Sequence, residues 1–360
     1  MRRAFAFDLG RVLFDFDYPL ALEKIKDKLG VSPNCVIDAL FFDDFALDFE
    51  KGMISGYDFY LKFKESFKAK ISYSEFIDSW CKIFSPNKEV IELVKRLRLL
   101  YPVYLISNIN ELHFNYLYQQ WKEIFLLFDK LFLSFKIKAV KPEKRIYEEL
   151  FKEGFLPEEV IYIDDRQDLI EEGRKLGLRC FQFRDLNSLI KDLEKEKIHI
   201  FSDEEYQQLT RIEEKLEAAK NPLIIGIGST ICGDDAGGAV LASQLKDKLK
   251  MEVIEAELNI EEYLSKIEKH DFVLILDSCL FDDNSKFKVF SPSQIKGDLS
   301  FTHNFSLKYI FSYLQIEKKI DILILGIRPY RVDTKMGLSK ETKKVKEILK
   351  QFFLRNFSLR

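Results

Sequence analysis

Four stretches of the 360-residue chain place reactive side chains where an apolar run ends. Phe5-Ala6-Phe7-Asp8-Leu9-Gly10 sets a carboxylate and then a glycine after a strand-like run. Tyr104-Leu105-Ile106-Ser107-Asn108 closes a second run with a hydroxyl and an amide. Lys141-Pro142 opens a helical pattern, and Ile161-Tyr162-Ile163-Asp164-Asp165 ends a third run in two carboxylates. Ligands of open parallel sheets bind at the carboxyl ends of strands, so these groups are expected to converge on one edge. Their types suit phosphoryl transfer. A carboxylate attacks, a cation neutralises the equatorial oxygens, and a lysine with a hydroxyl or amide holds the group while it moves.

The second half carries a different set. Gly226-Ile227-Gly228-Ser229-Thr230-Ile231-Cys232-Gly233-Asp234-Asp235 invites two nucleotide readings, and both fail. A dinucleotide fingerprint needs glycine where Ile231 stands, and a P-loop needs Lys and Ser/Thr where Asp234 and Asp235 stand. Acid at a helix start repels phosphate and suits a cation. Asp277 ends the run Phe272–Leu276, and His303 heads a helical pattern. Asp235, Asp277 and His303 together would make a three-ligand N/O site for a borderline divalent metal, with coordination positions left open.

The elements that must position these groups alternate. Strand-like runs are expected at Ala4–Phe7, Val103–Ile106, Val160–Ile163 and Arg179–Phe183, then at Leu223–Ile227, Met251–Ala256, Phe272–Leu276 and Ile320–Leu325. Helical periods lie between them, which predicts two α/β units with mostly parallel sheets. Residues 18–85 show helical patterns alone and read as an insertion after the first strand. The charge-alternating stretch 199–220 reads as a helical linker, giving domains 1–198 and 221–360. Trp80, Trp121 and the Phe-rich stretches read as packing, and His113, His199 and His270 as lacking convergent partners.

Composition bounds the partners. Lys+Arg at 56 against Asp+Glu at 59 gives a net charge of −3, which offers no general attraction for nucleic acid or an anionic membrane. No charge-free stretch reaches the ~18 residues of a membrane span, and no signal peptide is read at the start. Five scattered cysteines without a C-x-x-C pair point to the reducing cytoplasm.

The first set of motifs, in order and spacing, resembles the haloacid dehalogenase superfamily, with the 18–85 insertion where that family carries a helical cap. The resemblance implies Asp8 as nucleophile and Ser107, Asn108 and Lys141 around the transferred group. It also implies Mg²⁺ held by Asp8, the Gly10 carbonyl and Asp164, with Asp165 in support, and a small phosphorylated metabolite as substrate. One position departs. Family phosphatases read D-x-D and use the second acid to protonate the leaving group, whereas Gly10 stands there. Asp15 or Asp17 would have to substitute, or the domain serves as a weakly active binding scaffold.

The second set, with Gly326-Ile327-Arg328-Pro329 and Gly337-Leu338-Ser339, resembles the hydrogenase maturation endopeptidases. That implies contact of Asp235, Asp277 and His303 with substrate-borne Ni²⁺ in a [NiFe]-hydrogenase large-subunit precursor, whose C-terminal extension is then cleaved. Cys232 and Cys279 flank these ligands, so a resident-zinc hydrolase is the competing reading. The two resemblances together imply two three-layer αβα domains, one HAD-like with a helical cap and one maturation-protease-like, of the phosphorylase/hydrolase-like kind.

Overall fold

The computed structural model describes residues 2–32, 35–36, 44–229, 233–294, 304–331 and 337–359. The chain forms two compact units, Met1–Ile200 and Phe201–Arg360. The first contains β1 (Ala4–Phe7), β2 (Phe14–Phe16), β3 (Phe84–Pro86), β4 (Val103–Ser107), β5 (Lys130–Leu133), β6 (Val160–Asp164) and β7 (Arg179–Gln182). Its sheet runs β5-β4-β1-β6-β7 with every pair parallel. Ala4 and Ala6 face one side of β1 and Phe5 and Phe7 the other, and all four are buried. Only a sheet covered on both faces buries alternate residues in this way, which makes the unit a three-layer αβα domain.

β1 is central, and the chain leaves it first for β4 and β5 and later returns to β6 and β7 on its other side. Asp8, Ser107 and Asp164 consequently end three adjacent strands on the same edge. β2 and β3 pair antiparallel, Phe14 opposite Pro86, and form the stem of the helical insertion. The insertion has its own core of Phe49, Phe59, Phe63, Phe76 and Trp80. Phe49 stacks on Phe59 with ring centroids 4.2 Å apart.

His113, on the helix Glu111–Gln120, ties this cap to the sheet domain. Its Nε2 lies 3.1 Å from the carbonyl of Trp80 and its Nδ1 3.0 Å from the amide of Asn110. A carbonyl only accepts, so Nε2 carries the proton and Nδ1 accepts from Asn110. The side chain read as partnerless therefore closes a buried network, a contact invisible in its own helix.

The second unit contains β8 (Pro222–Ile227), β9 (Glu252–Glu257), β10 (Phe272–Ser278), β11 (Phe287–Phe290) and β12 (Asp321–Ile327) in the order β11-β12-β10-β8-β9. β11 is antiparallel and the rest parallel. This is again an αβα arrangement. The glycines of the Gly-rich segment serve close packing here. A Cβ on Gly226 would lie 2.3 Å from that of Ala242, and one on Gly238 would lie 2.2 Å from the Leu276 carbonyl oxygen. The helix Gly237–Leu245 thus rests directly on the sheet.

The stretch expected as a linker is mainly the helix Asp203–Ala218 of this second unit. A capping box of Ser202 and Glu205 starts it, and Leu209, Ile212 and Leu216 form a buried stripe at helical spacing. It packs on β10 and β11, where Gln208 accepts the Val289 amide at 2.8 Å. The charge alternation belongs to its outer face. Among the described residues no helix is long and apolar enough to cross a membrane.

Burial lowers the His113 imidazole from 6.5 to about 4, against the hydrogen bond to Trp80. Between those values the unfolded chain binds a proton that the folded one refuses, so stability is complete above pH 6.5 and falls as the pH drops toward 4. The loss is expected to be on the order of 3 kcal/mol. His113→Gln should remove that part of the acid sensitivity. Denaturant unfolding of the two proteins from pH 8 to 4 checks it, and parallel profiles would contradict it.

Candidate active sites at two sheet edges

The first site is organised by one ammonium. Lys141 Nζ donates to Asp8 Oδ1 at 2.6 Å and to Asp164 Oδ2 at 2.6 Å. All three side chains are buried. Asn108 places the lysine, because its Oδ1 accepts Lys141 N at 2.6 Å and its Nδ2 donates to the Lys141 carbonyl at 3.0 Å. Asp8 is held at the end of β1 by its own amide, which donates to Ile163 at 2.9 Å. The Tyr162 hydroxyl and the Arg166 amide also donate to Asp164.

Burial pushes the Asp8 carboxyl up to about 7, with the Asp164 charge adding to it and Lys141 opposing. Burial acts the same way on Asp164, but Lys141, Tyr162 and the Arg166 amide hold it below the usual range. Burial alone would lower the Lys141 ammonium; its two carboxylate partners raise it instead. Asp8, Asp164 and half-buried Asp165 each offer an oxygen within 4.8 Å of the others. That all-oxygen set fits a hard cation such as Mg²⁺.

Asp8, Asn108, Lys141, Asp165 and Gly10 line a common cavity of about 250 Å³. Ser107 is buried at the end of β4, outside the cavity lining, with its Oγ 3.4 Å from the Asn108 carbonyl. A Cβ at position 10 would lie 2.9 Å from the edge of the half-buried Phe16 ring, so a side chain there would require that ring to shift. Neither of the acids considered as substitutes lines the cavity. Asp15 is exposed and 3.9 Å from Arg11, and Asp17 caps the helix Tyr18–Glu23 by accepting Leu20 N. The cap adds Tyr18 and Glu50 to the lining, and the sheet domain adds His113 and Arg166. Sequence reasoning missed these four because no local pattern marks them.

In the second unit two adjacent acids divide their work. Asp234 is fully buried and accepts Tyr330 N at 2.8 Å, Arg331 N at 2.7 Å, Ser339 N at 2.6 Å and Ser339 Oγ at 2.8 Å. Its carboxylate is saturated and holds Tyr330, Arg331 and Ser339 to the turn Gly233–Ala236. Asp235 points elsewhere and accepts Ser229 N at 3.0 Å. Asp277 is buried at the end of β10 and accepts the Ser278 amide at 2.7 Å. Burial pushes its carboxyl up to about 7; the Ser278 amide opposes this and the charge of Asp235 adds to it. Cys279 lies in the apolar core with Phe281 and Ile324, and burial raises its thiol well above the usual range. His303 and Cys232 fall outside the described residues.

No protein-family model matches the chain. The first half is similar to a D-ribitol-5-phosphate phosphatase of Bacteroides thetaiotaomicron, 25% identical over 190 residues, which cover 51% of this chain and 92% of the relative. A solved structure of a HAD family enzyme of that organism, in complex with magnesium and inorganic phosphate, is 25% identical with a TM-score of 0.48, over 52% of this chain and 99% of that one. The second half is similar to a Methanocaldococcus jannaschii protein named as a hydrogenase maturation protease, 29% identical over 133 residues, 33% of this chain and 79% of the relative. The two halves are thus similar to two different kinds of hydrolase, the first to a HAD-type phosphatase and the second to a hydrogenase maturation protease.

The two acids of the Asp234-Asp235 pair should separate by stability. Asp234→Ala orphans several buried donors and is expected to cost about 3 kcal/mol or more in denaturant unfolding of the second unit. Asp277→Asn is isosteric, removes a buried acid, and should leave the midpoint unchanged or higher. Equal losses would refute the division of roles.

Proposed function

We propose that the chain is a two-site hydrolase. The first unit is a Mg²⁺-dependent phosphatase acting through an aspartyl-phosphate, and the second is an endopeptidase that trims a [NiFe]-hydrogenase large-subunit precursor. The phosphatase reading is carried by the convergence of Asp8, Asn108 and Lys141 on one cavity. Asp8 attacks phosphorus, Lys141 and the Asn108 amide hold the phosphoryl oxygens, and water releases phosphate from Asp8. Mg²⁺ bound by Asp8, the Gly10 carbonyl and Asp164, with Asp165 in support, would supply neutralising charge for the phosphoryl oxygens. The cavity volume of about 250 Å³ favours a small phosphate monoester. D-ribitol 5-phosphate, named for the relative, is the first substrate to test.

The peptidase reading is carried by the Ser278 hydroxyl, which donates to the Asp234 carbonyl at 2.7 Å and so sets the turn of Asp235 beside Asp277 at the end of β10. A buried acid whose carboxyl is raised by burial and by a neighbouring charge is relieved by a divalent cation delivered at that edge. Substrate-borne Ni²⁺, met by Asp235, Asp277 and His303, would therefore license cleavage only of a loaded precursor. The resident-zinc alternative has less support, since Cys279 belongs to the apolar core.

With Mg²⁺ and a panel of sugar and polyol phosphates, Asp8→Asn should lower turnover by about 10⁴-fold or more, and chelation should abolish it. No turnover above that variant on any ester would leave the first unit a binding scaffold. On the second site, a nickel-loaded precursor should be trimmed by the parent protein and spared by Asp235→Ala and His303→Ala. Trimming at parental rate by both variants would sink the assignment. Stoichiometric zinc in the purified protein, lost on changing Cys232 and Cys279 to serine, would replace substrate-borne nickel with a resident metal.

A further inference from the structure

We propose that Glu50, delivered by the cap, is the proton donor to the leaving group in the first site, the task for which position 10 has no side chain. The inference rests on the phosphatase reading. Four observations lead to it. Gly10 itself offers no acid, and the edge of the Phe16 ring lies 2.9 Å from where a Cβ there would stand. Asp15 and Asp17 are exposed or spent on a helix cap and do not line the cavity of Asp8. Asp8, Asp164 and Asp165 form the oxygen cluster for the cation. The remaining acid in the cavity lining is Glu50.

Its position is built rather than incidental. Glu50 ends the helix Asp44–Glu50, and its carbonyl accepts the buried Ser134 hydroxyl at 2.7 Å. The same hydroxyl accepts Ile109 N at 2.9 Å, so the cap helix is pinned to the loop after β4 that also carries Asn108. Next door, Lys51 pairs with Glu143 at 2.6 Å, and Lys138 donates to the Gly52 carbonyl. The Glu50 carboxyl itself has no hydrogen-bond or ion-pair partner among the described residues. Burial holds it above the usual carboxylate range despite the pull of Arg166 and Lys141, which keeps a larger share of it protonated.

The chemistry balances within the site. Asp8 Oδ bonds to phosphorus as the bond from phosphorus to the alcohol oxygen breaks, and the Glu50 proton passes to that oxygen to give the free alcohol. In the second half-reaction water attacks the aspartyl-phosphate and its proton returns to Glu50. The bond from phosphorus to Asp8 breaks, leaving inorganic phosphate and a regenerated nucleophile.

The test compares kcat/KM of Glu50→Gln and the parent protein on two esters, with Mg²⁺ present. One is whichever polyol phosphate the panel shows to be turned over; the other is 4-nitrophenyl phosphate, whose leaving group is too weak a base to need a proton. A proton donor predicts a loss of about 10²–10⁴-fold on the polyol ester and less than about threefold on the nitrophenyl ester. The retained nitrophenyl activity also reports that the variant folds. Equal losses on both esters would make Glu50 a packing residue, and no loss on the polyol ester would exclude it as donor; either overturns the proposal and leaves the phosphatase reading standing. No turnover of either ester by the parent protein would overturn both.

Discussion

A sheet covered on both faces has no interior place for a charge, and this constraint shapes both units. Along β1, β6 and β10 the apolar run gives way only at the carboxyl end, where Asp8, Asp164 and Asp277 stand. Hydrophobic burial thus sorts ionisable groups to the carboxyl edge before any catalytic demand is made. Once there they remain largely desolvated, and desolvation is the leading influence on Asp8, Asp164 and Asp277 alike. Edges of this kind are poised for chemistry because their charges are held in a setting of low dielectric.

The two units meet the cost of that desolvation differently. In the first, Lys141 lies between two carboxylates and is itself fixed by Asn108, so the charges are compensated within the fold. Removing any one partner would strand the others, which makes the arrangement rigid. In the second, Asp234 is neutralised by backbone and hydroxyl donors of Tyr330, Arg331 and Ser339, while Asp277 keeps a single amide donor among the described residues and a raised carboxyl. The first edge is set up to act on a group brought to it. The second is set up to be completed by one.

Much of this was legible in the sequence, for a physical reason. Strands buried on both faces read as continuous apolar runs, and acids that end them are conspicuous, so Asp8, Asp164 and Asp277 could be picked out along with the mostly parallel sheets. Two of the four edge strands, β5 and β11, were harder to see. Phe287–Phe290 is only four residues long and is interrupted by Lys288, and Lys130–Leu133 is as short and opens on a charge. The helix Asp203–Ala218 was expected, but as a linker, since its surface charge masks the buried stripe that binds it to the second unit. What occupies Asp234 was illegible, because its donors are Tyr330, Arg331 and Ser339, about a hundred positions away. Cap residues such as Glu50 suffer the same obstacle, since a helix outside the sheet leaves no strand-end signature.

The missing second acid shows what a sheet edge alone cannot do. A residue two positions beyond Asp8 rides on the same turn as the nucleophile and reaches the leaving group whatever the cap does. With Phe16 packed over Gly10, that turn is instead closed by an aromatic ring, and Arg11 lies 4.4 Å above it. The turn gains apolar cover and loses its proton donor. Every other acid on the sheet side is committed, to the cation cluster, to a helix cap or to solvent. On the phosphatase reading, proton supply then falls to the element that covers the cavity, and its precision depends on how firmly that element is tied down. The Ser134 hydroxyl linking the Glu50 carbonyl to the Ile109 amide is such a tie, and the His113 bridge to Trp80 is another. A site whose acid sits on its cap makes completion of the catalytic set conditional on cap placement, whereas a D-x-D turn does not.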